Sequence, residues 1–235
     1  MERQMRYDNI QSAAFIRRPN RFIAECDVRG TTIHAHVRNT GRCRELLIPG
    51  CTVYLQENPS ASRKTQYTLV SVEKSGRVVN MDSLAPNKVF REAAESGAVQ
   101  LPGFDRPCTV LKPETFHGNS RFDFYLEGKE QKAYVEVKGV TLEEDGVALF
   151  PDAPTERGVK HIQELCAAAR EGYLAYLVFI IQMEDIRYLS PNRRTHAAFG
   201  DAMEAAQKAG VRLLAYDCRV TPDEIHLNEW VEIRL

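Results

Sequence analysis

Paired cysteines, long apolar runs and an excess charge of either sign are all missing from this chain of 235 residues. Its six cysteines (Cys26, Cys43, Cys51, Cys108, Cys166 and Cys218) are scattered and none forms a CxxC pair. That argues against both a zinc site and a compact disulfide framework. In a chain long enough to bury its own core, such spacing is expected of reduced thiols in a cytoplasmic protein. The longest apolar run, Leu174–Ile181, is far short of the roughly 18–20 residues that span a bilayer. It is expected to be a buried strand, with no membrane partner. The first ten residues, MERQMRYDNI, have no apolar stretch of the kind a secretory signal needs. Glycine (14) and proline (11) are too sparse for a collagen-like or low-complexity chain, and a hydrophobic share of 43% excludes a disordered one.

The overall charge balance, Lys+Arg 31 against Asp+Glu 32, hides an asymmetry. Residues 1–85 carry 13 Lys/Arg and 8 Asp/Glu, whereas residues 86–235 carry 18 and 24. A basic first part beside an acidic second part suggests two modules with different partners, although imbalances of this size also arise by chance.

Texture divides the chain at the same place. Ser12–Arg18, Arg21–Arg29, Thr31–Arg38, Cys51–Gln56, Tyr67–Val72 and Arg77–Met81 are short, rich in β-branched or aromatic residues and bounded by Gly, Pro, Asn or Ser. These are strand signals, and so many short strands in so short a stretch suggest a small β-barrel resembling an OB-fold. From residue 86 the pattern changes. Asn87 is placed to cap a helix over Lys88–Ser96 that Gly97 ends. Strands are expected near Thr109–Lys112, at Arg121–Leu126, Lys132–Lys138, Gly146–Phe150, Tyr173–Gln182 and Val211–Tyr216. Thr155 is placed to cap a helix with apolar residues at helical spacing, and Thr195–Ala209 reads as another. Residues 86–235 therefore read as an α/β module with helices around a mixed sheet, and the whole as α+β.

The chemistry-bearing residues lie on a predicted hairpin. RFDFYL is followed, across a turn, by YVEVKG. Side chains alternate along a strand, so Glu136 and Lys138 share a face. A turn centred near Gly128 and Lys129 pairs Asp123 with Tyr134 and leaves Glu136 one diagonal away, a geometry that depends on register. Two carboxylates and an ammonium on an apolar hairpin need partners or a metal. Carboxylate oxygens suit Mg²⁺, which keeps several waters and takes one or two protein carboxylates plus a phosphate. The alternative is a cross-strand salt bridge on a solvated sheet face.

A hairpin bearing D…ExK, then a strand, a helix and an apolar strand, resembles the core of PD-(D/E)xK nucleases, the restriction-endonuclease-like fold. The longer strings SRFDFYL, YVEVKGVTL, ALFPDAPTERGVKHIQEL, NTGRCRELLIPG and SRKTQYTLV resemble the sugar fermentation stimulation protein A family over nearly the whole chain. The resemblance implies an OB-fold-like, nucleic-acid-binding domain over residues 1–85 and a nuclease-like domain over residues 86–235. It implies DNA, single- or double-stranded, as partner, without sequence specificity, and Mg²⁺ or Mn²⁺ as cofactor. Matched position by position, Asp123, Glu136 and Lys138 are the motif residues, Asp123 and Glu136 as metal ligands. Glu92 or Glu95 on the first helix is the candidate further acid, and Glu114 lies close in sequence. A second reading is a non-catalytic DNA-binding regulator of sugar (maltose) metabolism on a nuclease-like scaffold. An enzyme acting on RNA or small nucleotides is a third.

Two further segments complete the candidate set. Asp152 precedes a helix whose first turns carry Arg157 and Lys160, and a helix N-terminus with such cations can hold a phosphate. Simple capping with solvated basic residues explains the pattern equally well, and the resemblance tips Arg157 and Lys160 toward the active site and Asp152 toward the metal. In the first module, Arg17, Arg18, Arg21 and Phe22, with Arg38, Asn39, Arg42 and Arg44, form basic clusters at turns. Such side chains neutralise phosphates while an aromatic stacks on a base. The alternative is a set of surface arginines that solubilise the barrel.

Overall fold

The computed structural model describes residues 5–39, 41–58, 65–105, 108–118 and 120–235. Thr40 and Ser62–Lys64, which belong to two of the motifs above, lie outside them. Strands β2 (Ile10–Asn20), β3 (Ile23–Val28), β4 (Thr31–Val37), β5 (Thr52–Glu57) and β6 (Tyr67–Lys74) form a sheet in the order β4-β3-β2-β5-β6. It closes on itself where β4 pairs in parallel with β6, from Ala35↔Tyr67 to Val37↔Leu69. Closure removes the exposed edges of a small sheet. Alternate residues point inward, and Ala24, Cys26, Ala35, Val37, Val53, Leu55 and Leu69 are fully buried. Burial pushes the Cys26 thiol up to about 12, so it serves there as a small apolar side chain. The strand β7 (Arg77–Asn80) extends the sheet beyond β6. This is the expected OB-like barrel.

The second sheet holds β8 (Val110–His117), β9 (Ser120–Glu127), β10 (Lys132–Val140), β13 (Leu174–Ile181), β15 (Arg212–Val220) and β16 (Glu224–Trp230). Its order is β16-β15-β13-β10-β9-β8, with β10, β13 and β15 parallel. The outermost strand beside β16 is β1 (Met5–Arg6). The first described residues therefore lie on the sheet of the second module, not on the barrel. A two-residue strand carries no periodic signal, which is why the division at residue 85 did not anticipate it. The short strands β11 (Leu142–Glu144), β12 (Val147–Phe150) and β14 (Tyr188–Pro191) make a separate small sheet.

Helix α1 (Ala85–Ser96) covers one face of the large sheet, while α2 (Glu156–Arg170) and α3 (Arg193–Lys208) cover the other. The central strand β13 shows why it reads as a continuous apolar run. Tyr176, Val178 and Ile180 enter the α1-side core, and Leu177, Phe179 and Ile181 enter the opposite core. Thr155 caps α2 as expected, accepting from the Gly158 amide at 3.1 Å. Asn87 does not cap α1, which starts two residues earlier with Pro86 in its first turn and Leu84 at the cap position. Proline suits that turn because the missing amide has no helical partner there. Among the described residues no helix is long and apolar enough to cross a membrane.

The two modules meet through shared core and shared polar groups. Barrel residues and residues of α2 and α3 belong to one continuous hydrophobic cluster. Beside it, Asp82 is fully buried and accepts from Arg38 Nη1 of the barrel at 2.5 Å and from the Leu84 amide at 3.0 Å. Gln182, at the end of β13, donates to the Asn80 and Asp82 carbonyls at 3.1 Å. The start of α1 is thus anchored to both modules.

Candidate active site and nucleic-acid interface

Strands β9 and β10 pair from Lys132↔Glu127 to Val135↔Phe124. Tyr134 faces Tyr125, so the hairpin is shifted by two residues from the expected pairing with Asp123. A shift of two preserves the face of every side chain, and it brings Asp123 level with Glu136. The ladder ends at that level. Phe122 and Phe124, two apart on one strand, enter opposite cores, so strict alternation breaks at Asp123. The break lets its carboxylate replace a backbone partner. Asp123 Oδ2 accepts from the Val137 amide at 2.8 Å, and Oδ1 accepts from Asn87 Nδ2 of α1 at 2.9 Å. Burial, and then the charge of Glu136, push the Asp123 carboxyl above its usual range against these hydrogen bonds.

Glu136 is 2% exposed. Its Oε1 accepts from Lys138 Nζ at 2.6 Å and bonds to His161 Nδ1 of α2. Its Oε2 is buried and has no hydrogen-bond partner. Burial opposes the charge, and the bonds from His161 and Lys138 outweigh it, so the carboxyl lies below its usual range. On the outer side of His161, Arg157 Nε donates to Nε2 at 3.2 Å. These groups, with Ser83, line a polar cavity of about 290 Å³.

Four of the expected catalytic residues, Asp123, Glu136, Lys138 and Arg157, therefore meet at one cavity. Three expected residues do not join them. Glu92 faces the Met5 backbone amide, so Asn87 is the α1 residue that reaches Asp123. Lys160 is exposed and is absent from the cavity lining. Asp152 lines a neighbouring cavity of about 130 Å³ with Asn39, Gly139 and Gln182. Its Oδ2 approaches the barrel loop so closely that a Cβ on Gly41 would clash with it. The cis Phe150–Pro151 bond precedes it. Glu114 does reach the first cavity, paired with Arg121 at 2.9 Å.

His161 and Asn87 belong to the cavity without having been singled out as site residues. His161 follows Arg157 by one helical turn, a spacing that places them as neighbours. Its contact with Glu136, 25 positions earlier, depends on how α2 packs on the sheet.

The donor set suits a hard divalent cation. Two carboxylates line the cavity, and one buried oxygen has no hydrogen-bond partner in the protein, a costly arrangement unless a donor or a cation completes it. Among the described residues no group of three or more His, Cys, Asp or Glu side chains gathers as ligands.

On the barrel, the fold takes up half of the expected nucleic-acid contacts. Arg17 forms a two-pronged pair with Glu25, at 2.7 and 2.9 Å. Arg18 donates to the carbonyls of Arg21, Asn39, Gly41 and Arg42. Arg38 is paired with Asp82, and Asn39 Oδ1 accepts from the Gly41 amide at 2.8 Å. The others face solvent. The guanidinium of Arg21 lies 4.8 Å from the Phe22 ring centroid, Phe22 is 43% exposed, and Arg42 and Arg44 are exposed.

Residues 84–224 match the family described as the sugar fermentation stimulation protein RE domain, and residues 16–81 match the SfsA N-terminal OB domain. A sugar fermentation stimulation protein homolog of Desulfitobacterium hafniense is 56% identical, covering 98% of this chain and 99% of its own. One from Ruminiclostridium cellulolyticum is 52% identical, covering 98% and 100%. Among solved structures, Pyrococcus furiosus SfsA in complex with Ca²⁺ superposes with a TM-score of 0.87 at 28% identity, covering 99% of this chain and 100% of that one.

Proposed function

Because the chain belongs to the sugar fermentation stimulation protein family, we propose that it is a DNA-binding protein whose second module hydrolyses phosphodiester bonds with Mg²⁺ or Mn²⁺. The buried, unpartnered Oε2 of Glu136 beside the raised Asp123 carboxyl carries this reading. The Ca²⁺ complex of the Pyrococcus furiosus relative supports it, since Ca²⁺ also takes oxygen ligands. Asp123 and Glu136 would hold the cation, which when bound supplies Lewis acidity to the phosphate and lowers the pKa of water.

The chain's own residues do the rest. Lys138, 2.6 Å from Glu136, carries a positive charge at the carboxylate pair and stabilises the charge that develops on the phosphorus oxygens. Arg157 faces the cavity from the first turn of α2, where a guanidinium and the helix dipole together attract a phosphate. Arg21, Arg42 and Arg44 neutralise the DNA backbone away from the cavity, and Phe22 offers a face for stacking.

The bond between Lys138 and Glu136 also favours a second reading, a regulator that binds DNA without cutting it, since an ammonium so engaged serves as a structural partner. Labelled single- and double-stranded DNA incubated with Mn²⁺ or Mg²⁺, with Lys138→Ala beside the native protein, decides between them. Metal-dependent cleavage that the variant loses supports the nuclease. Binding without cleavage on both substrates and both metals leaves the regulator.

A further inference from the structure

Glu136 divides its two oxygens unequally, and the division traces back to α2. Arginine Nε can only donate, so the contact from Arg157 Nε at 3.2 Å makes His161 Nε2 an acceptor. The ring proton of neutral His161 is then on Nδ1, aimed at Glu136 Oε1. Lys138 Nζ donates to that same oxygen at 2.6 Å. Both protein donors crowd onto Oε1, and Oε2 is left buried with none.

The imidazole has little freedom to do otherwise. It is 9% exposed, on the face of α2 that also buries Ile162 and Leu165 against the sheet. The groups linked to it in this chain of contacts come from two elements: Glu136, with its partner Lys138, from β10, and Arg157 from the turn of α2 that opens on the cavity.

We infer that His161 is a positioning residue for the cation site, locked in its tautomer by Arg157 and turning Glu136 so that Oε2 is the ligand oxygen. The inference rests on the proposed metal site at Asp123 and Glu136 and assigns that site a supporting residue. It also separates two roles that one carboxylate combines, with Oε1 as the anchor to the protein and Oε2 as the contact to the ion. Groups that hydrogen-bond a metal ligand typically govern about 10–100-fold in metal affinity.

Mn²⁺ alone, titrated into the full chain and followed by calorimetry and by the electron paramagnetic resonance of the free ion, tests this without any substrate. His161→Phe removes the donor at similar volume, and His161→Asn restores an N–H near the Nδ1 position. Asp123→Asn reports on the site itself. The expected result is that Asp123→Asn abolishes binding, His161→Phe weakens it about 10–100-fold, and His161→Asn recovers part of the loss. Arg157→Ala is expected to fall between His161→Asn and the native protein. Abolition by Asp123→Asn with native affinity in His161→Phe overturns the positioning role and leaves the metal site standing. Unchanged binding in Asp123→Asn overturns the metal site and the inference together. Metal-free melting curves identify a variant that does not fold. If His161→Phe is one, native Mn²⁺ affinity in both His161→Asn and Arg157→Ala overturns the inference.

Discussion

The barrel and the cavity place their charged residues in opposite environments. At the barrel surface Arg21, Arg42 and Arg44 stand in water, where an unpaired cation costs the fold almost nothing and is ready for a polyanion. In the cavity Glu136 is buried and the half-buried Asp123 feels its charge, so that each charge is a burden unless a partner or an ion offsets it. Stability alone explains the first arrangement and fails to explain the second. The contrast also runs inside the barrel, where Arg38 and Arg18 resemble Arg21 in sequence but are taken up as structural donors. Engagement by partners within the protein, more than residue type, separates the scaffold arginines from those free to bind.

The largest effect should come from treating a scaffold arginine as a binding one. Arg38→Ala strips the fully buried Asp82 of its cation. Breaking such a pair should destabilise the protein by about 3 kcal/mol, the lower end of the range for buried pairs because Arg38 itself is partly exposed. Urea unfolding measures this. A fully stable Arg38→Ala protein with much weaker DNA binding would move Arg38 to the other side of the comparison. Next in size is Lys138→Ala, expected to slow metal-dependent cleavage on the order of 10²-fold, as when one donor to a developing charge is removed. Single-turnover rates and DNA affinity, measured together, should separate the regions, with the rate falling while affinity holds. Equal losses in both would merge cavity and barrel into one binding surface.

How much of this division was legible beforehand varies by region. Strand and helix positions followed from local pattern, because apolar alternation and capping residues such as Thr155 act over a few positions. Glu136 and Lys138 were legible as a pair because alternation fixes which side chains share a face, and a two-residue error in hairpin register leaves that parity intact, whereas Asp123 meets them at a break in alternation that local pattern does not announce. Asn87 was visible as a helix-starting residue but not as the partner of Asp123, since the choice between capping and reaching across depends on where α1 packs. His161 had no local signal beyond its spacing from Arg157. Asp152 and Glu92 carried the right chemistry but not the right location: one ends at the barrel loop and the other faces β1. The arginines of the barrel were indistinguishable in sequence because their partners, Glu25, Asp82 and distant carbonyls, are set by closure of the sheet.

The smallest effects test the comparison most finely, because they contrast arginines only a few residues apart. Arg21→Ala and Arg42→Ala each remove a solvent-facing cation, and each should lower the slope of log affinity against log salt by about one if that side chain meets a phosphate. Arg17→Ala should change the slope by less. Its guanidinium already neutralises Glu25 through two hydrogen bonds, so DNA would have to compete with a carboxylate for it. The same pairing should make Arg17→Ala cost no more than about 1 kcal/mol in stability, as exposed pairs do. Filter binding across a salt series with all three variants gives the ordering. A full unit lost in Arg17→Ala and none in Arg21→Ala would mean that DNA runs along the β2–β3 face and opens the Arg17–Glu25 pair, placing the phosphate track away from the turn that carries Phe22.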